Sequence, residues 1–196
     1  MDARFEKQLN FLVEVDKMKT ILRQTLLVDK SRQENDAEHS WHFALMAMIL
    51  YEYADQTKVN LTRVLKMALV HDLIEIYAGD TFAYDEKGNE SKAERENLAA
   101  DKLFELLPQD QGEEIRNLWQ EFDLMETADS QYAAAIDRLQ PFINNYMTEG
   151  HTWKLGNVTS DKVFKRMDMV KKGAPDLWDF VEHIIEESIK KDYLKK

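Results

Sequence analysis

The stretch LTRVLKMALVHDLIEIYAGD, residues 61–80, decides the fold. Its apolar residues Leu61, Val64, Leu65, Ala68, Leu69, Leu73 and Ile76 recur at three- and four-residue intervals, the period of one buried helix face. Asn60 stands before it as an N-cap and Gly79 after it as a stop. Beside the stripe lie His71 and Asp72, about 100° apart on a helix, so both can reach one cation from a single edge. Glu75, one turn beyond His71, faces the same side. Such groups are costly to bury alone, so this helix is expected to meet polar partners from elsewhere in the chain.

Upstream, a helix over residues 37–55 carries the apolar run FALMAMILY (43–51) and is expected to lie centrally, with Trp41 in the core and His39 near its start. Before it, a helix over 4–27 would place Leu9, Leu12, Val13, Met18, Ile21 and Leu22 on or near one face, followed by a polar connection over 29–36. Downstream, Ser91 with Glu94 and Asp110 with Glu113 read as capping boxes, opening helices that end near Pro108 and Met125. A helix over 129–147 contains Asp137, a loop spans 148–159, and Pro175 begins the last helix. Pro141 either kinks the helix of Asp137 or starts a new one after a break. With six glycines, three prolines and no strand-like alternation, the chain reads as all-α. The expectation is a single-domain helical bundle over residues 1–196, with a metal-site core at about 32–140 and C-terminal helices at about 160–194 packed on it.

A net charge of −11 argues against binding a nucleic acid polymer, because an acidic surface repels polyanions. It leaves room for a small phosphorylated substrate, since a cation and a few arginines can reverse the field inside a cleft. The absence of cysteine removes disulfides, thiolate metal sites and cysteine nucleophiles. No run approaches the roughly 20 apolar residues that span a bilayer. The N-terminal MDARFEKQLN lacks the apolar stretch of a signal peptide, so a cytoplasmic protein without membrane partners is expected.

Taken singly, each histidine is more often a satisfied core or surface group than a ligand. Taken together, His39, His71, Asp72 and Asp137 suit one divalent cation held between facing helices. Two imidazoles and two carboxylates accept Mn²⁺, Co²⁺, Fe²⁺, Zn²⁺ or Mg²⁺, and ligand type alone does not choose among them. Four protein ligands on an octahedral ion leave two positions, for water and for a substrate oxygen. With Glu75 beside them, the set points to metal-assisted hydrolysis. Arg23 and Arg32 are candidates for neutralising phosphate charge, and Arg32 could equally form a helix-entry salt bridge with Glu34 or Glu38. His42 reads as a polar neighbour of the site or a surface group, His183 as a packing residue and His151 as an exposed loop residue. Trp119 and Phe122 read as packing, and Lys92 and Arg95 as solvated partners of nearby glutamates.

The flanks of these residues are Arg32-x-Glu34-Asn35-x-x-Glu38-His39-Ser40 and His71-Asp72-x-x-Glu75-x-x-x-Gly79-Asp80. With an Asp on a later helix, they resemble the HD-domain phosphohydrolases, and most of all their 5′-deoxynucleotidase branch. The resemblance covers the chain from Arg23 or earlier to about Trp153. It implies an all-α HD fold with His39, His71, Asp72 and Asp137 as ligands of one divalent cation. It also implies Glu75 as the catalytic carboxylate, Asp80 as a substrate-positioning group and a homodimer. Arg23 matches the family's arginine, but Gln24-Thr25-Leu26 follow where that pattern usually has a Trp, so base and sugar preference are not legible. The leading expectation is a phosphomonoesterase acting on (deoxy)nucleoside 5′-monophosphates. The alternatives are the same chemistry on a nucleoside triphosphate or another phosphorylated small molecule, and a non-enzymatic nucleotide sensor. The presence of Glu75 favours hydrolysis over sensing.

Overall fold

A computed structural model describes residues 2–196. Helix α1 spans Ala3–Glu14, capped by Asp2, whose side chain accepts from the Arg4 N–H. It does not continue to residue 27. A 3₁₀ segment at Val15–Thr20 leads into strand β1, Leu22–Leu26, which pairs antiparallel with β2, Gln33–Asn35. The expected single helix is corrected to this extent, while the fold is all-α as expected, this short hairpin being its one sheet among the described residues. The hairpin closes through an Asx turn in which Asp29 Oδ1 accepts from the Ser31 N–H at 2.9 Å, while Lys30 takes a positive φ.

Helix α2, Asp36–Ile49, begins at an Asn35 capping box completed by Glu38. Helix α3, Leu61–Val70, is capped by Asn60, and α4 is the short Glu75–Ala78, ended by Gly79 at a φ of 76°. The remaining helices are α5 Glu86–Glu90, α6 Lys92–Phe104, α7 Gln109–Leu124, α8 Ala128–Met147, α9 His151–Leu155, α10 Ser160–Gly173 and α11 Trp178–Lys190. Two expected capping boxes are absent. Ser91 Oγ accepts from Arg95 Nε, and Asp110 is committed to a forked pair with Arg4. A capping box that the sequence reading passed over, Thr127 with Ser130, starts α8. Pro141 sits inside a continuous α8, and α9 interrupts the expected loop over 148–159. Pro175 opens a 3₁₀ turn that leads into α11.

Helices α2, α3 and α8 pack on one another at the centre, with α10 along α8 and α7 across α3 and α8. Phe43, Ala47, Val64, Met67, Ala68, Tyr132, Ile136 and Leu139 fill the space between them. Full burial of each large apolar side chain contributes roughly 1.5–3 kcal/mol. The Tyr132 hydroxyl donates to the Ala47 carbonyl at 2.9 Å, so this phenol is buried with its hydrogen bond made. The central helix is only half enclosed, however. Trp41 is 65% exposed, and Leu45, Met48 and Ile49 share its outward face, contrary to the core position expected for Trp41. Leu9, Leu12, Val13 and Leu22 are likewise exposed, and α1 buries Phe11 instead. Leu69, expected inward, faces solvent, as does His183. Among the described residues no helix is long and apolar enough to cross a membrane.

Candidate metal centre and its cavity

The backbone changes pitch where the chemistry lies. The His71 imidazole places Nδ1 3.0 Å from the Ala68 carbonyl, the acceptor an uninterrupted helix would offer to the N–H of Asp72. From there the chain tightens into i to i−3 bonds: Leu73 to Val70, Glu75 to Asp72 and Ile76 to Leu73. The expected continuous helix to Gly79 is therefore two helices with a turn between them. His71, Asp72 and Glu75 still line one cavity.

His39 enters from the first turn of α2 and is fully buried. Its Nδ1 donates to Gln140 Oε1 at 3.0 Å, and Gln140 Nε2 donates in turn to Glu34 Oε1 at 2.7 Å. The Glu34 carboxylate fixes which way the amide points, and the amide fixes the His39 tautomer. His42 Nδ1 lies 3.1 Å from the same Gln140 Nε2, so His42 supports the site from behind. With both Nδ1 atoms donating, the lone pairs of both Nε2 atoms face inward. His39 Nε2 is 2.9 Å from Asp137 Oδ1 and 3.8 Å from Asp72 Oδ2. His71 Nε2 is 3.0 Å from Asp72 Oδ2 and 3.5 Å from Asp137 Oδ1, yet it is buried with no hydrogen bond made.

Two lone-pair nitrogens and two carboxylates so close repel one another unless a cation lies among them. A proton can serve. Burial lowers the His71 pKa, but Asp72 and Asp137 outweigh it and raise it to about 10. A divalent ion would displace that proton and satisfy all four groups at once. The donor set therefore fits a metal, and His39, His71 and Asp72 bring ligand atoms within 4.8 Å of one another.

Glu75 is buried against this cluster. Burial, then Asp72 and Asp36, push its pKa well above the usual carboxylate range, with Arg23 opposing. Asp36, fully buried, is raised to about 7 by burial and by Asp72. Arg23, supplied by β1, bridges the group, with Nη1 2.6 Å from Asp72 Oδ2 and 3.3 Å from Asp36 Oδ1. Asp80, just beyond Gly79, also lines the cavity. Arg32 does not. It is half-exposed and forks onto Glu38, the salt-bridge alternative weighed above.

The cavity, about 240 Å³, is lined by this cluster and also by Phe82, Tyr84, Trp153, Arg138 and Arg166. Lys92 lines it too while pairing with Glu96 at 3.4 Å. Arg95 instead pins the loop after α4, bonding the Ala78 and Gly88 carbonyls and Thr81 Oγ1. Phe122, expected only to pack, is a cavity wall whose ring centroid is 4.9 Å from that of His71. Gln140, Asp36, Arg138 and Arg166 went unmarked in the sequence reading. Gln140 alone had a readable signal, its i+3 spacing from Asp137 on one helix face.

A helical bundle that gathers histidines and aspartates from three helices into one cation-sized gap defines a helical metal-site domain. The chain belongs to the HD domain family, whose model matches residues 15–178. It is 29% identical over 133 residues to the human 5′-deoxynucleotidase HDDC2, covering 67% of this chain and 63% of that protein. The Xenopus laevis protein of the same name is 29% identical over 137 residues, covering 70% and 64%. The chain thus spans just under two thirds of these relatives' length. A crystal structure of a predicted metal-dependent phosphohydrolase from Magnetospirillum magnetotacticum MS-1 is 50% identical. Its TM-score is 0.95, and the match covers 100% of this chain and 97% of that one. An HD-domain phosphohydrolase from Listeria innocua shares the fold at 17% identity, with a TM-score of 0.61 and coverage of 94% and 86%.

Proposed function

We propose that this protein is a metal-dependent phosphomonoesterase that releases phosphate from nucleoside 5′-monophosphates, deoxyribonucleotides above all. The observation that carries the reading is the convergence of His39, His71, Asp72 and Asp137 around one gap, with Glu75 buried at its edge in the same cavity. The relatives named 5′-deoxynucleotidase support the substrate class. These four side chains would hold one divalent cation, Mn²⁺, Co²⁺, Fe²⁺, Zn²⁺ or Mg²⁺. When bound, that ion would polarise a phosphoryl oxygen and acidify a water.

The chain's own residues do the rest. Gln140 and the Ala68 carbonyl hold the two imidazoles in the tautomers that present Nε2. Arg23 holds Asp72 in place, and Asp80 positions the substrate from the loop beyond Gly79. Glu75 moves the proton. Its buried carboxyl favours the neutral form, which suits donation to the leaving oxygen as the water–phosphorus bond forms and the ester bond breaks. We also propose a homodimer, for which the outward face of α2 at Trp41, Leu45, Met48 and Ile49 supplies an apolar surface.

The test is phosphate release from a panel of nucleotides by metal-stripped protein supplied with single cations. Turnover of 5′-monophosphates with at least one cation is expected. Silence across all of them with every cation would defeat the reading.

A further inference from the structure

The cavity lining carries two arginines that form no ion pair among the described residues. Arg138 follows Asp137 on α8, Arg166 comes from α10, and both are half-buried on the cavity lining. Arg138 Nη1 donates to the backbone carbonyl of Arg166 at 3.1 Å, and Nη2 lies 3.1 Å from Met125 Sδ. Among the described residues neither guanidinium has a carboxylate within ion-pair distance. Arg4, Arg23, Arg32, Arg63 and Arg116 each pair with one, and Arg95 is held by carbonyls and a threonine. Acidic residues outnumber basic ones by 37 to 26, so leaving two arginines side by side without an acid is unexpected. Two like charges sharing a half-buried wall repel each other, and an anion between them would relieve that repulsion. The carboxylate nearest in sequence, Asp137, turns its Oδ1 to His39 Nε2 at 2.9 Å, on the side assigned to the cation.

We infer that Arg138 and Arg166 form a second anion subsite, so that the preferred substrate is a phosphomonoester whose organic part carries a second phosphate. This inference rests on the phosphomonoesterase reading, because the scissile phosphate is assigned to the histidine–aspartate end of the same cavity. A guanidinium pair gives forked donors to phosphate oxygens, a geometry lysine does not reproduce. Tyr84 lines the same cavity within electrostatic reach of both arginines, where it can meet the organic part of a nucleotide.

The test compares kcat/KM for a deoxynucleoside 5′-monophosphate and its 3′,5′-bisphosphate, with the 5′-diphosphate as a third arm. It uses wild-type protein, Arg166→Gln and Arg166→Lys. Wild type is expected to prefer the 3′,5′-bisphosphate over the monophosphate by about tenfold or more, the scale of one charge-assisted contact, and a gain confined to the 5′-diphosphate overturns the proposal. Arg166→Gln should bring that ratio close to one, and Arg166→Lys should restore part of it. A wild-type ratio at or below one overturns the subsite. So does a Gln variant that slows all substrates equally, which would place Arg166 on the scissile phosphate. A second readout does not need turnover. Calorimetric titration of metal-free protein with inorganic phosphate should show binding in wild type that weakens about tenfold in Arg166→Gln. Equal binding by both proteins, or none by either, counts against the subsite. If no substrate is hydrolysed but this titration differs between the two proteins, the activity reading fails and the anion subsite stands.

Discussion

The two ends of the cavity are built on opposite terms. At the α2–α3–α4 end the side chains are tied together within the protein, Arg23 to Asp72 and Asp36, His39 to Gln140 and His71 to the Ala68 carbonyl, with His71 Nε2 and Glu75 Oε2 left buried without a hydrogen bond. At the α8–α10 end Arg138 and Arg166 form no ion pair among the described residues. Asp137 and Arg138 are neighbours about 100° apart on α8, so one helix serves both ends. The contrast separates a site whose acidic and lone-pair groups call for a cation from one whose guanidinium groups call for an anion.

The sharpest way to break the organised end is to remove Glu75, its proposed proton carrier. Glu75→Gln keeps the shape of the side chain and should lower kcat by about 10²–10⁴-fold while metal content stays at wild-type stoichiometry. Phosphate release and elemental analysis on the same sample check both halves, and retained wild-type turnover would remove Glu75 from the reaction. Gln140→Leu comes next. It leaves the His39 tautomer unset and should weaken metal binding about 10–100-fold, read by competition with a chelating dye. Unchanged affinity would show that the relay behind His39 is idle.

The pH dependence of folding is a smaller effect. Burial raises the Glu34 pKa from 4.5 to about 7, so between those values the folded state binds more protons than the unfolded one. Stability should therefore fall as pH rises from about 4.5 to about 7, by on the order of 1–3 kcal/mol. Urea midpoints for metal-free protein at both ends of that window should show the slope, and Glu34→Gln should reduce it, with Asp36 and Glu75 supplying the remainder in the same direction. Smallest in its effect on stability is Trp41→Glu. On an exposed face it should change unfolding free energy by no more than about 0.5 kcal/mol. Light scattering should nonetheless report a shift from dimer to monomer, and a wild-type monomer would dispose of the dimer proposal.

The polar groups at the organised end stand out in the sequence because His71, Asp72 and Asp137 interrupt apolar helical patterns. A charge in such a pattern needs a reason, whatever surrounds it. Gln140 interrupts nothing, since glutamine is ordinary on any helix, and its enclosure by His39, His42 and Glu34 in three dimensions is what gives it a role. The hairpin was hidden for a different reason. Leu-Arg-Gln-Thr-Leu is built largely from good helix formers, and pairing with residues 33–35 overrides their local preference. Trp41 shows the limit from the other side. An apolar helical stripe announces that something will cover it, not whether the cover comes from the same chain. Arg138 and Arg166 lie 28 positions apart, and nothing local to either shows that α10 would lay them together.

Gly173, the last residue of α10, sits so close to α8 that a Cβ there would lie 2.2 Å from the Gln131 carbonyl oxygen and 2.8 Å from Ala135 Cβ. From this contact, two helical turns back along α10 reach Arg166 and two turns forward along α8 reach Arg138, each a run of about 10 Å. The pair of helices behaves as tongs pinched at position 173. A methyl group added at the pinch spreads the tips where the two guanidinium groups lie. In a saturation mutagenesis screen, position 173 would therefore score among substrate-choice residues although it touches no substrate.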